Sequence, residues 1–425
     1  MRTCSFTIMW SSLLMAAVIV PAACGRDLRA TAGTGFGADT PGGRGGQILR
    51  VTNLEASGPD SLRAALEAEG ARIVVFEVAG VIDLGGRSIT ISEPYVTLAG
   101  QTAPSPGITV IRGAIYIGTH NVRIQHLRVR PGDDGRQKRS GWEPDGISTA
   151  GANAHDIVIE HCSVTWATDE NVSVSGPRLE GPEVTSRRVT IRNCIIAECL
   201  HNSTHAKGPH SMGSLIHDFC QNIAIIGNLY AHNNARNPYF KAHTTGAIVN
   251  NVIYNPGRHA IQLGYSAGEW RGAKYAPRPP QVSVVGNVYI PGADTRPGLA
   301  MIAQPGEVFL ADNIAHDHAG RPTEIVGSGV EVVSEKAVWP TGLTALPAGE
   351  VLDFVVRRAG ARPRDRDAVD KRIIADLLNR GGRIIDSQDQ VGGYPQVAPV
   401  LRPLDIPEGV SAIDAWLAGL AGELE

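Results

Sequence analysis

The residues best suited to chemistry lie on three short connectors. Within Asn222 to Asn255 (NIAIIGNLYAHNNARNPYFKAHTTGAIVNNVIYN), Ala-Arg-Asn-Pro-Tyr-Phe-Lys sets Arg236 and Lys241 on either side of Pro238. Upstream, Glu143-Pro144-Asp145-Gly146 carries two acids that would project to one side of an extended chain, as ligation of calcium requires. Asp169-Glu170 follows the strand that holds His161 and Trp166, and Lys207 lies in HNSTHAKGPHSMG. Lone acids and lysines on turns are ordinarily solvated and do nothing more. Here carboxylates, cations and the histidines His205, His210 and His232 all fall on connectors of successive units, so they can line one groove. A cation row facing an all-oxygen cage of Glu143, Asp145, Asp169 and Glu170 suits an acidic, extended substrate such as a polyuronate.

The elements that would position these residues repeat. NVRIQHLRVR (121–130), DIVIEHCSVTWA (156–167) and RVTIRNCIIAE (188–198) are followed by NIAIIGNLYAHN, GAIVNNVIYN, QVSVVGNVYIPG and EVFLADNIAH. Each is a β-branched run, a polar residue, then a second short run. Aligned on that residue (His126, His161, Asn193, Asn228, Asn251, Asn287, Asn313), the spacings are 35, 32, 35, 23, 36 and 26 residues. A unit recurring with variable insertions predicts a solenoid, with an asparagine ladder satisfying backbone groups at one bend. The evenly spaced hairpin turns of an antiparallel sandwich are missing, so the expected architecture is a parallel β-helix. Ahead of the repeats, Asp60 or Ser61 caps the helix SLRAALEAEG, closed by Gly70, which would cover the open end of the stack.

Residues 341–425 change character. They are charged, punctuated by Pro and Gly, and read as helical, with Ile373, Ile374, Leu377 and Leu378 on one apolar face and a further short helix over Ala412 to Leu420. This tail is expected to pack on a β-helical domain spanning 25–340.

Composition narrows the function. With 49 glycines, 27 prolines and a net charge of -3, the chain of 425 residues has no basic field for a nucleic-acid backbone. Residues 1–24 read as an export signal, with Arg2 before an apolar run too short to span a membrane, and Ala22-Ala23-Cys24-Gly25 offers Cys24 as a lipid anchor. The protein is therefore expected outside the cytoplasm, as a monomer without a membrane span. Cys162, Cys194, Cys199 and Cys220 match no zinc spacing. Cys162 and Cys194 read as core residues, and a disulfide, if one forms, would join Cys199 and Cys220.

The segment NNARNPYFKAHTTGAIVNNVIYN resembles the pectate lyase family, whose pattern N-A-R-x-P-x-x-[RK] precedes a strand ending in N-N. The likeness runs from about Gly35 to Asn255 and beyond, through GFGADTPGGRGG, VTNLEASGPDSLRAAL and EHCSVTWATDE. It implies an all-β, right-handed parallel β-helix that cleaves polygalacturonate-type chains by calcium-assisted β-elimination. Arg236 falls on the family's catalytic arginine, Lys241 on its substrate-binding cation, Glu143 and Asp145 on the paired acids of the calcium site, and Asp169 on the next ligand. The acid expected four positions later is Ser173, which leaves the site weaker or completed by Glu170. The family's substrate-binding lysine falls on Met212, with Lys207 as a substitute from a shifted loop.

Three other readings compete. A glycoside hydrolase on the same scaffold needs carboxylates converging on one bond, and the arginine connector holds no acid pair. A lyase for another uronate fits the departures at Ser173 and Met212. A non-catalytic glycan-binding β-helix would release no unsaturated product.

Overall fold

In the computed structural model, which describes residues 34–425, the β-branched runs stack in register. Leu49, Val74, Leu98, Ile124, Ile159, Ile191, Ile225, Ile248, Val284 and Leu310 form one inward column along an eleven-stranded sheet. From Ile124 onward, successive members of that column are 35, 32, 34, 23, 36 and 26 residues apart, one coil each. A ten-stranded and an eight-stranded sheet complete the walls. One coil shows the path: Gln221–Ile226 in the first sheet, Leu229–Ala231 in the second, Tyr239–Phe240 in the third, then back to Thr245–Val249 in the first. Among the described residues all strand pairs are parallel except Val400–Leu401, which lies antiparallel to Val78–Asp83. The expected parallel β-helix is what forms. The export signal over 1–24 and the acylation of Cys24 fall outside the described residues. Among the described residues no helix is long and apolar enough to cross a membrane.

Register corrects the ladder by one residue. The position before the second-sheet strand is Cys162, Cys194, Asn228, Asn251, Asn287 and Asn313 in successive coils. Asn228 Nδ2 donates to Asn251 Oδ1 at 2.9 Å, Asn251 to Asn287 at 2.9 Å, and Asn287 to Asn313 at 3.1 Å. His126, His161 and Asn193 instead share the preceding corner with Gly227, Asn250, Gly286 and Asp312, all at positive φ. In the early coils the inner position is held by Leu127, Cys162 and Cys194, so the corner residue is the nearest polar side chain and draws the alignment to itself. That corner needs the left-handed conformation, which glycine adopts freely and Asn, Asp and His tolerate. All four thiols are buried and free. Cys199 turns its thiol to the carbonyls of Ala167 and Asp169, and Cys220 turns its own to Val174, so no Cys199–Cys220 disulfide forms.

Helices cover the first coils and one side of the stack. In α1 (Leu62–Glu67) the Ser61 side chain accepts from Ala64 N–H, and Leu62, Ala65 and Leu66 enter the core of the first coils. The helix ends at Ala68, short of Gly70. In the tail, α2 (Ala348–Arg358) and α3 (Ala368–Asn379) lay Val351, Phe354, Val355, Ile373, Ile374 and Leu377 on the outer face of the second sheet. Leu378, read on the same apolar face, points away and is 57% exposed. Below the helices the buried Arg130 bonds Asp367 at 2.6 Å and Asp370 at 2.8 Å. The last helix, α4 (Val410–Leu424), returns to the first coils, where Ile413, Trp416 and Leu417 pack near Ile73 and Val75.

Candidate active site

Side chains alternate along a strand, so burying Val172 and Val174 turns Ser173 outward. Across the third sheet this outward row runs Tyr116, Ser148, Ser173, Leu215, Tyr239, Gln262 in register. The row forms the floor of a groove. Beside it, nearer the strand starts, Glu170 aligns with Met212, which bridges Ala235 in the arginine connector. Asp145 precedes the strand Ile147–Ala150 and Asp169 precedes Glu170–Ser175, so stacking coils bring their acids together.

Asp145, Asp169 and Glu170 each offer an oxygen within 4.8 Å of the others. Asp145 Oδ1 accepts the Glu170 N–H at 3.0 Å, and its Oδ2 accepts the Ser173 hydroxyl at 2.6 Å. Burial, reinforced by the charge of Asp169, pushes the Asp145 carboxyl up to about 7. Burial would raise Asp169 too, but His210 Nε2 at 2.9 Å and the charges of His210 and His205 hold it low. Glu170 is ion-paired with Arg236.

Arg236 reaches this cluster from a left-handed backbone, φ 62°, with its guanidinium 5.8 Å from the Tyr239 ring centre. Burial lowers its pKa, partly offset by Asp169. Beneath the pair runs a chain of buried amides. Asn171 Nδ2 donates to Asn233 Oδ1 at 3.2 Å, and Asn233 Nδ2 to Asn237 Oδ1 at 3.1 Å. Asn171 follows Glu170 and Asn237 follows Arg236, so one interior network fixes the backbone under both ion-pair partners.

Several expected members stand apart. Glu143 does not share the cluster: its carboxylate accepts the Ala206 N–H at 2.7 Å and lies 3.5 Å from His205 Nδ1. The residues around Pro144 are not a strand, so the alternation that would have aligned Glu143 with Asp145 does not apply. His232 is buried far from the groove, bonded to Asn255 at 2.9 Å and 3.7 Å from Asp376 on α3. Lys207 is exposed on the loop that carries His205 and His210. Lys241 is on the outer face of the third sheet but not free, since its ammonium lies 2.5 Å from Glu269 and 3.6 Å from Asp218.

No family model matches the chain. It is 34% identical over 374 residues to a protein of Neosartorya fischeri named probable pectate lyase C, covering 84% of this chain and 79% of that one. A protein of the same name from Aspergillus flavus is 33% identical over 388 residues, covering 87% and 82%. The chain belongs to the pectate lyase family. Its fold matches that of the cedar pollen allergen Jun a 1 (TM-score 0.54, 15% identity, 77% of this chain and 92% of that one). It also matches a pectate lyase bound to a hexasaccharide (TM-score 0.54, 14% identity, 77% and 96%).

For a pectate lyase the acid cluster is suggestive. Three carboxylates crowd together with Arg236 ion-paired to one of them, and burial, with Asp169 close by, raises Asp145. An all-oxygen, anionic set of this kind fits a hard divalent cation such as calcium. A second set, Asp169 with His205 and His210, fits less well. The two imidazoles are stacked 3.7 Å apart at 12°, so their in-plane lone pairs run parallel and do not converge on one ion. The groove tyrosines, Arg178, Asp218 and Glu269 were not legible as site residues. Tyr239 lies in the arginine connector and Tyr116 in a regular strand, where neither stands out from the scaffold, while Arg178 and Glu269 sit in excursions with no periodicity and Asp218 in a short turn.

Proposed function

We propose that the chain cleaves a polygalacturonate-type glycan by calcium-assisted β-elimination in the groove over the third sheet. The observation that carries this reading is Arg236 held against the Asp145, Asp169 and Glu170 cluster beside the outward row that includes Ser173 and Tyr239. Calcium held by Asp145, Asp169 and Glu170 would offset the charge of the substrate carboxylate and make the adjacent proton easier to remove.

Arg236 then acts at the carbon that loses the proton. Its lowered pKa runs in the direction a base needs, but a guanidinium starts far above neutrality. Its main contribution is donation from Nη to the negative charge growing on the substrate carboxylate, while the proton leaves to water. The amides of Asn171, Asn233 and Asn237 keep its backbone fixed as that charge develops. Lys241 holds substrate farther along the groove, and Lys207 stands at the loop edge for a longer chain. The glycosidic oxygen leaves from the β position, so the new end is unsaturated and no water is added. Such a polymer lies outside the cell, in keeping with an exported enzyme.

The test is incubation of the mature protein with polygalacturonate, with calcium and with chelator, following ultraviolet absorbance of the unsaturated end. A calcium-dependent rise lost in Arg236→Ala supports the reading. A rise indifferent to that substitution removes Arg236 from the chemistry, and a rise only on another uronate moves the substrate.

A further inference from the structure

The second cation of the groove already holds a carboxylate. Lys241, 6% exposed, and Arg178 both contact the same oxygen, Glu269 Oε2, at 2.5 and 2.7 Å. Behind them lies the fully buried Asp218, 3.6 Å from Lys241 Nζ and 3.4 Å from Arg178 Nε. Asp218 is locked in place, accepting the Ala242 N–H at 3.1 Å and lying 3.0 Å from His217 Nδ1. Glu269 is not locked: its side chain is 39% exposed and approaches the two cations from outside.

Glu269 reaches them on an excursion. The coil from Ile248 to Val284 has 36 residues where the preceding one has 23, and the surplus includes the short turn Ala267–Trp270. Trp270 seats that turn against Phe219 and His243, with ring centres 5.6 and 5.3 Å away. The excursion therefore delivers one carboxylate to a lysine–arginine pair two residues beyond Tyr239, whose ring lies 5.8 Å from the Arg236 guanidinium. A carboxylate bridging two cations at a groove is the contact a bound uronate would make.

We propose that Glu269 is an internal occupant of a uronate-carboxylate subsite and sets its specificity. This rests on the lyase reading and deepens it. With Lys241 and Arg178 balanced by Asp218 and Glu269, the subsite is neutral as built. It takes an uncharged sugar residue, such as a methyl-esterified uronate, directly, whereas a free uronate must first displace Glu269.

The experiment compares wild type with Glu269→Gln, which keeps shape and removes charge, on polygalacturonate and on highly methyl-esterified pectin. The expected result is a KM for polygalacturonate lowered about fivefold, with the KM for esterified pectin within about twofold of wild type. An unchanged polygalacturonate KM, or a parallel change on both polymers, overturns the proposal. Glu269→Ser, which leaves the Trp270 anchor in place, must likewise lower the KM for polygalacturonate and leave that for esterified pectin within about twofold, and thermal melting confirms that both variants fold. If wild type turns over neither polymer, the lyase reading fails by itself. Calorimetric binding of trigalacturonate then decides the subsite: tighter binding to Glu269→Gln upholds it, and equal binding overturns it.

Discussion

Ser173 donates its hydroxyl to Asp145 across 2.6 Å, at a position where the family resemblance calls for a further acid. The bond ties up one Asp145 oxygen and adds no charge. Ser173→Asp should therefore tighten calcium binding about tenfold, since ligand charge is a main control on affinity at oxygen sites. The same change should lower the melting temperature of the calcium-free protein, because a fourth carboxylate joins three that are already crowded. Titration calorimetry and melting with and without chelator read the two effects. A variant that binds calcium no better, yet melts normally without it, would place the ion elsewhere.

Arg236 and Lys241 are expected to fail in different ways. Arg236→Ala should lower kcat by about two to three orders of magnitude with little change in KM, as loss of a donor to transition-state charge does. Lys241→Ala should act mainly on KM, and it also leaves the buried Asp218 short of a partner, so melting has to be followed alongside. A Lys241→Ala variant that loses kcat while KM holds would assign Lys241 to the chemistry instead.

Stability should fall as pH drops from about 6.5 toward 4, and His126 is one cause. Burial pushes its pKa down to about 4, against the opposing hydrogen bond to the Ala361 carbonyl at 2.8 Å. It faces His161 in a stack, with Glu425, Glu160, Arg358 and Arg362 nearby. The unfolded chain binds a proton through this window and the folded one does not, so protonation favours unfolding below the unfolded pKa and the loss levels off below the folded one. For one such histidine the loss is at most about 3 kcal/mol. His126→Asn puts at this corner the residue that Asn193 and Asn250 already are, and should flatten the slope of stability over that window in urea titrations. The same slope in the variant would assign the acid sensitivity to other groups.

The solenoid was legible because each coil repeats a β-branched pair of runs, and the Arg236 connector because it interrupts them. The errors have local causes. Apolar residues at the inner ladder position of three coils, Leu127, Cys162 and Cys194, shifted the alignment by one residue, and the irregular chain at Pro144 separated Glu143 from Asp145. Glu269 was invisible for a different reason. Its pairing with Arg178 spans 91 residues and depends on two excursions whose lengths follow no period. Contacts of that kind are set by where loops land, which neither spacing nor propensity encodes.

Asp370 shows the same limit in the tail. On α3 it reads as an ordinary first-turn acid, yet it is fully buried, taking Arg130 at 2.8 Å and the Ser163 hydroxyl at 2.7 Å. Both of those partners come from the second sheet, so one carboxylate joins the tail to the coils. Asp370→Ala leaves Arg130, and Arg128 at 3.4 Å from the same carboxylate, to share Asp367 alone, and should cost about 3 kcal/mol, the lower end of the penalty for breaking a buried pair from one side. The exposed i,i+4 pair Arg357–Asp353 on α2 provides the contrast, and Asp353→Ala should change stability by less than about 0.5 kcal/mol. Urea denaturation distinguishes the two directly. If Asp370→Ala costs no more than Asp353→Ala, the apolar faces of α2 and α3 alone hold the tail in place.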